Sequence, residues 1–368
     1  MSPHLGGFKV IDRLRVGIVV AGILILCAAS AAAVERIYPA ESWQRLESPQ
    51  KLGWSRGKLQ AARDYADTIQ TAAVMIVVDG QVLDEWGETA KRYNIHSIRK
   101  SLLSALYGIH VHEKRINPGK TLKRLGIDDN EPSLTPQEKE ATIVDLLKAR
   151  SGVYHPALYE SAATKALRPQ RGSHPPGTFW YYNNWDFNVL GTIFERETKT
   201  NLFAEFKTRI AEPIGMQDFQ LDHCSYLTGP DSVYPAYLFH MTARDMARFG
   251  LLFARQGEWE GRQIIPANWI AESTMPYSDT GEQGGYGYMW WIAVEGRQLP
   301  GVTLPDGSYV AHGANGHCIL VMPNIDTVIV HRVNTYVGRR RVTDSELGKL
   351  VGLILAARMA DAEKSRLK

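Results

Sequence analysis

Apolar positions first recur at helical spacing between Ser55 and Ile69, where Leu59, Ala62, Tyr65 and Ile69 mark one face of an amphipathic helix. The pattern then changes. Residues 72–78 are continuously apolar, Asp79-Gly80 is a turn dipeptide, and residues 81–87 are again β-prone, which predicts a hairpin whose first strand is covered on both faces. From Ser97 to about residue 284 the texture is helical, with patterns at 97–113, 143–149, 186–198, 202–210 and 243–256. Thr242 and Asp245 open the last of these as a capping box. Residues 151–181 form a loop rich in Pro and Gly and too long for a mere connector, so a functional surface is expected there. Strand character returns at 286–294, 309–312, 316–322 and 327–333, the last two joined through Pro323-Asn324-Ile325-Asp326, and residues 347–360 form a closing helix.

Strands at both ends of the chain thus enclose a helical insert. The expected fold class is α+β: one antiparallel sheet built from both ends of the chain, flanked by helices, with a mostly helical second lobe. The expected division is a leader at 1–34, a polar lead-in at 35–54 carrying Trp43 and Trp54, a main domain at 55–356, and a tail at 357–368. Within the main domain, 55–96 and 285–356 make the sheet lobe and 97–284 the helical lobe.

The leader has its own signature. Lys9, Arg13 and Arg15 precede an apolar run at 16–26, then Cys27 and small residues at 28–33, the layout of a secretory signal peptide. Residues 16–34 are also free of charge and long enough to cross a bilayer as an uncleaved inner-membrane anchor with the body outside. Both readings stand, and both predict an exported, periplasmic or extracellular body. The bulky Leu26 before Cys27 argues against a lipoprotein site.

Composition narrows the field only a little. With 44% apolar and 22% charged residues, 368 residues make an ordinary globular chain, able to bury a core without staples. Its 42 basic and 39 acidic side chains leave +3, too balanced to argue for nucleic acid. Three cysteines exclude a disulfide-built scaffold; beyond the leader, Cys224 and Cys318 either pair or stay as two buried thiols.

Chemistry concentrates at His96-Ser97-Ile98-Arg99-Lys100-Ser101. Residues three apart share a helix face, so Ser97 and Lys100 present a hydroxyl and an amine to the same space. A serine at a helix start also has unpaired backbone N–H groups and the positive dipole end beside it, which suits an oxyanion. Lys100 can take the Ser97 proton only as a neutral amine, a state favoured by burial or a nearby positive field. The same residues also describe an ordinary helix start with Ser97 as cap and Lys100 in solvent, so the spacing needs company.

That company exists. The stretch resembles the first motif of the serine β-lactamase and penicillin-binding protein superfamily, in its class C-like branch, which includes D-alanyl-D-alanine carboxypeptidases, esterases and 6-aminohexanoate-dimer hydrolases. Residues 145–152, 241–250 and 286–291 resemble further segments of that branch in the same order, so the resemblance spans about 55–356. It implies a β-lactamase/transpeptidase-like fold and a Tyr-x-Asn loop, which falls on Tyr182-Asn183-Asn184. In that role Tyr182, lowered in pKa by Lys100, relays protons, and Asn184 donates to Lys100 and to a substrate carbonyl. The register Tyr181-Tyr182-Asn183 satisfies the same pattern.

The third motif departs from the family. In place of Lys-Thr-Gly the chain has His312-Gly313-Ala314-Asn315-Gly316-His317, similar to relatives in which His replaces Lys. His312 takes the motif position, and His312, Gly313 and Asn315 form the expected substrate or oxyanion region, where backbone N–H groups join that of Ser97. His317 is expected to be a buried, satisfied side chain. A neutral histidine, with a reference pKa of about 6.5, is a poor anchor for a carboxylate, which weakens the case for β-lactam turnover or peptidoglycan trimming.

The expected activity is therefore hydrolysis of an ester or linear amide in a small molecule or short peptide, through an acyl-enzyme on Ser97. A carboxypeptidase or β-lactamase-type enzyme, or a non-catalytic cell-envelope binding module of the same fold, are the alternatives. No metal or organic cofactor is expected: there is no H-E-x-x-H, and His110 and His112 are two apart on a helix and diverge. Trp180, Trp185, Trp290 and Trp291 suggest an aromatic mouth.

Overall fold

The computed structural model describes residues 36–359, and the expected leader or anchor at 1–34 lies outside them. The predicted hairpin is present: Thr71–Val78 and Gln81–Gly87 run antiparallel, turned at Asp79 (φ 49°) and Gly80 (φ 77°). Two left-handed residues match the right-handed twist of the strands they join. Along Thr71–Val78, Met75 and Val77 enter one core, while Val74, Ile76 and Val78 enter another. An unbroken apolar run is thus what a strand buried on both faces requires.

Thr71–Val78 also pairs with Thr327–Val333, Ile76 lying opposite Ile329, so the two ends of the chain meet in the middle of one sheet. The antiparallel order from one edge is Gln81–Gly87, Thr71–Val78, Thr327–Val333, His317–Met322, Tyr309–Gly313, Trp291–Ile292, Gly285–Tyr286 and Ser278–Asp279. One face is covered by Arg56–Thr68 and Asp344–Ala356, through Leu59, Ala62, Leu347, Val351 and Ile354. The other face meets Ala243–Ala254 and, beyond it, the mostly helical lobe.

Several local expectations change. Residues 286–294 are not one strand: Met289 adopts φ 62°, and the segment folds into two short paired strands. The helical lobe carries a second, three-stranded sheet of Tyr93–Asn94, Ser232–Met241 and Cys224–Gly229. Thr242 caps its helix by accepting from the Asp245 N–H at 3.2 Å, but the Asp245 carboxylate accepts from the Gln217 N–H at 3.0 Å, so no reciprocal box forms.

The lead-in is strapped to the body. Arg248 donates to the carbonyls of Pro39 (3.1 Å) and Ala40 (2.6 Å), and Arg255 to that of Ile37 (2.6 Å). Cys224 and Cys318 are both free thiols. Among the described residues no helix is long and apolar enough to cross a membrane.

Candidate active site

Ser97 sits in the tight turn His96–Ile98 that leads directly into the helix Arg99–His112. The turn is held from both sides. His96 has φ 49°, a left-handed conformation costly for a side-chain residue, and its N–H donates to Asn94 Oδ1 at 2.8 Å. Its ring accepts from the Tyr159 hydroxyl at Nδ1 (2.8 Å) and meets Thr335 Oγ1 at Nε2 (3.2 Å). Burial, reinforced by Arg332, lowers the His96 imidazole to about 4, so it is neutral near pH 7.

One helical turn on, Lys100 is 2% exposed. Its Nζ lies 2.9 Å from Ser97 Oγ, 2.6 Å from the Tyr182 hydroxyl and 2.9 Å from Asn184 Oδ1. Burial, with a smaller contribution from the Arg99 charge, holds this amine well below the usual lysine range. A neutral amine has two N–H donors and one lone pair. Asn184 Oδ1 can only accept, so one N–H is committed there and the lone pair is left for a hydroxyl proton. Asn184 therefore accepts from Lys100, where a donor was expected.

Tyr182 and Asn184 arrive through the start of the helix Asn184–Thr198, capped by the Asn183 side chain on the Trp185 N–H at 3.2 Å. Asn183 also donates to Val153 O (2.6 Å) and Asp186 Oδ1 (2.8 Å), and Ser151 Oγ donates to that same oxygen at 2.5 Å. The Ser151-Gly152 turn thereby anchors the loop that carries Tyr182. The neighbouring Tyr181 hydroxyl points elsewhere, donating to Thr164 O (2.8 Å) and Glu160 Oε1 (3.2 Å). Of the two registers, geometry brings Tyr182 to Lys100.

The expected depression of the Tyr182 pKa is overturned. Burial pushes the phenol up to about 12, only partly opposed by its Ser97 hydrogen bond and by the Arg99 charge. The physical reason is that removing a phenolate from water costs more here than the Ser97 hydrogen bond and the Arg99 charge return.

The third motif closes one side. Gly313 lies on the strand Tyr309–Gly313, and a Cβ there would fall 2.6 Å from the Ile95 carbonyl oxygen and 3.4 Å from Ile98 Cγ1. Only a glycine lets this backbone run so close to the turn holding Ser97. His312 is partly buried, with Nε2 2.7 Å from Gln298 Nε2, and its pKa is lowered by burial. Asn315 is exposed in the following turn at φ 68°, and its side chain makes no hydrogen bond among the described residues; its carbonyl accepts from the Val342 N–H at 3.1 Å. His317 is fully buried and accepts from Arg332 Nε at 3.0 Å through Nδ1, but its Nε2 has no partner, so it is buried as expected and only half satisfied.

The aromatic mouth is smaller than expected. Trp185 and Trp290 are buried core, whereas Trp291 stacks on Tyr182 (5.6 Å, 27°) and Trp180 meets Trp291 edge-on at 5.9 Å. Arg99, Asn188, Tyr159 and Gln298 also belong to the site's surroundings and carry no sequence signal of their own. Their positions depend on contacts between distant segments. Among the described residues no group of three or more His, Cys, Asp or Glu side chains could hold a metal ion.

An antiparallel sheet built from both termini, a helical lobe over one face, and a Ser-x-x-Lys turn between them define the serine β-lactamase and penicillin-binding protein superfamily, related to esterase-type serine hydrolases. The chain belongs to the Beta-lactamase family, whose model matches residues 59–353. Solved structures share the fold. The "Putative 6-aminohexanoate-dimer hydrolase from Bacillus anthracis" is 20% identical with a TM-score of 0.60, over 89% of this chain and 88% of that one. A beta-lactamase from Mycobacterium bovis is 19% identical with a TM-score of 0.58, over 81% of this chain and 100% of that one. A penicillin binding protein from Bacillus halodurans is 16% identical with a TM-score of 0.58, over 79% and 98%. No curated protein sequence matches the chain.

Proposed function

We propose that this chain is a serine hydrolase that cleaves an ester or a linear amide through an acyl-enzyme on Ser97. One observation carries the reading: a buried amine, held below its ordinary pKa, within hydrogen-bond reach of both the Ser97 and Tyr182 hydroxyls. In this reading Lys100 takes the Ser97 proton as Ser97 Oγ bonds to the substrate carbonyl carbon. The oxyanion is received by the Ser97 N–H and a backbone N–H of the 312–317 segment. Tyr182, still protonated near neutral pH, hands its proton to the leaving oxygen or nitrogen and is reprotonated from Lys100. Water then attacks the acyl carbon with the same groups acting in reverse, and the acid leaves.

A neutral His312 beside Trp291 favours substrates without a carboxylate at this position over β-lactams or D-alanyl termini. We further propose that residues 1–34 export the body, which would place its substrates outside the cytoplasmic membrane.

The test uses the protein from Val34 onward and its Ser97→Ala variant, each given a p-nitrophenyl ester, a linear 6-aminohexanoate amide and a chromogenic cephalosporin. Ser97-dependent ester or amide turnover, with an acyl adduct on Ser97 seen by mass spectrometry, is the expected result. Equal behaviour of the two proteins on all three substrates would overturn the proposal.

A further inference from the structure

Arg99 and Lys100 are consecutive, and both are buried (0% and 2% exposed). They reach the same helix, Asn184–Thr198, and find two asparagines one turn apart there. Lys100 Nζ donates to Asn184 Oδ1 at 2.9 Å, and Arg99 Nη2 to Asn188 Oδ1 at 3.0 Å. Neither partner is a carboxylate. The guanidinium lies over the Tyr237 ring at 4.2 Å and the Tyr159 ring at 5.8 Å, while its Nε and Nη1 have no hydrogen-bond partner. A buried arginine held by one amide and two aromatic faces is an expensive arrangement, because desolvation of the charge is only partly offset.

We propose that Arg99 is a positioning residue of this site: a fixed, uncompensated positive charge that adds to burial in favouring the neutral form of its neighbour Lys100. The inference rests on the reading of Lys100 as the base. Guanidinium does not lose its proton in proteins, whereas a lysine amine shifts readily. Two adjacent buried cations without an anion repel, and the amine is the one that can yield.

Among the described residues, the surroundings supply no countercharge. Ser97, Tyr182 and Asn184 face the amine, and Phe187 lies 4.6 Å from it. Behind them, burial raises the phenols of Tyr182, Tyr237 and Tyr286, so all three are uncharged near neutral pH. Asp186, on the same helix as the asparagines, has its carboxyl raised well above the usual range by burial and is spoken for by Ser151 and Asn183. The field at Lys100 is therefore that of Arg99.

Two variants test this. Arg99→Met removes the charge, and the nearly isosteric Asn188→Asp neutralises it in place at the cost of the Asn188 Nδ2 donation to Leu158 O (3.0 Å). The first readout is the titration of the Lys100 Cε resonance in 13C-lysine-labelled protein, assigned with Lys100→Met. The second is the pH profile of Ser97 labelling by a fluorophosphonate.

In both variants the Lys100 titration is expected to move to higher pH, and the acid limb of labelling to move with it. A one-unit rise shifts the acid limb by one unit, so labelling at a fixed pH on that limb falls about tenfold and returns as pH is raised. A Lys100 titration that stays in place in folded Arg99→Met and Asn188→Asp overturns the inference, whatever happens to labelling. A wild-type protein that is never labelled at Ser97 sinks the nucleophile reading instead. The lysine resonance still decides the role of Arg99 in that case.

Discussion

Tyr181 and Tyr182 are chain neighbours with separate surroundings. One hydroxyl is tied to Thr164 and Glu160, the other lies 2.6 Å from the Lys100 amine. Tyr182→Phe should therefore lower kcat by about 10²–10⁴, the usual worth of a positioned proton-transfer group, while Tyr181→Phe changes it far less. Steady-state kinetics on an ester or amide checks this, and the opposite ranking would move the role to Tyr181. The pH profile follows from the same two groups. Lys100 acts only when unprotonated and its pKa is held low, so kcat/KM should rise with pH on the acid side and then level off. The plateau should persist until the Tyr182 phenol ionises at about 12. An amide substrate, stable in alkali, is the suitable probe; an alkaline limb near the ordinary tyrosine value of about 10 would contradict it.

At the scale of elements, helix placement depends on close approaches. Gly108, on the helix Arg99–His112, would carry a Cβ only 2.3 Å from Trp269 Cδ1. Gly108→Ala gains about 1 kcal/mol of helix propensity but forces an overlap costing about 1–3 kcal/mol. Net destabilisation, and a displaced Ser97 turn with reduced turnover, is the expected result of a denaturant melt and a kinetic assay. Asp186 offers a second test on the helix Asn184–Thr198. Its folded pKa is raised, so its share of stability is present below the unfolded value of 3.8 and is lost as pH rises towards the folded one. The thermal midpoint of Asp186→Asn, minus that of the wild type, should therefore grow as pH is raised above about 4. A difference that shrinks with pH would show Asp186 to be ionised in the fold.

The elements themselves were unevenly legible. Helices and strands with one dry face announced themselves, because local periodicity encodes burial. The hairpin of Cys224–Gly229 and Ser232–Met241 did not, since its first strand is mostly exposed and has no alternation to read. The segment 286–294 has strand composition throughout, yet a left-handed Met289 breaks it in two.

At the scale of the molecule, the lead-in behaves as part of the body. Ile37, Pro39 and Ala40 satisfy two guanidiniums that are otherwise buried against the sheet lobe. A protein starting at Arg36 should melt as one starting at Val34 does. A protein starting at Ser55 should lose about 3–6 kcal/mol, from about 1.5–3 kcal/mol for each arginine's charged hydrogen bonds. Chemical denaturation of the three proteins checks this, and equal midpoints would make the lead-in a passive tether.

What the sequence determined alone is what short-range geometry enforces. Helical period puts Ser97 and Lys100 on one face, an Asp-Gly turn makes the first hairpin, and motif order along the chain identifies the family. The missing third-motif lysine was equally visible. Tertiary structure decided what depends on distant segments meeting: Tyr182 rather than Tyr181, Asn184 as acceptor, a phenol raised instead of lowered. It also left Arg99 beside Lys100 without an acid. These are consequences of burial and of contacts more than 80 residues apart along the chain, and no local pattern records either.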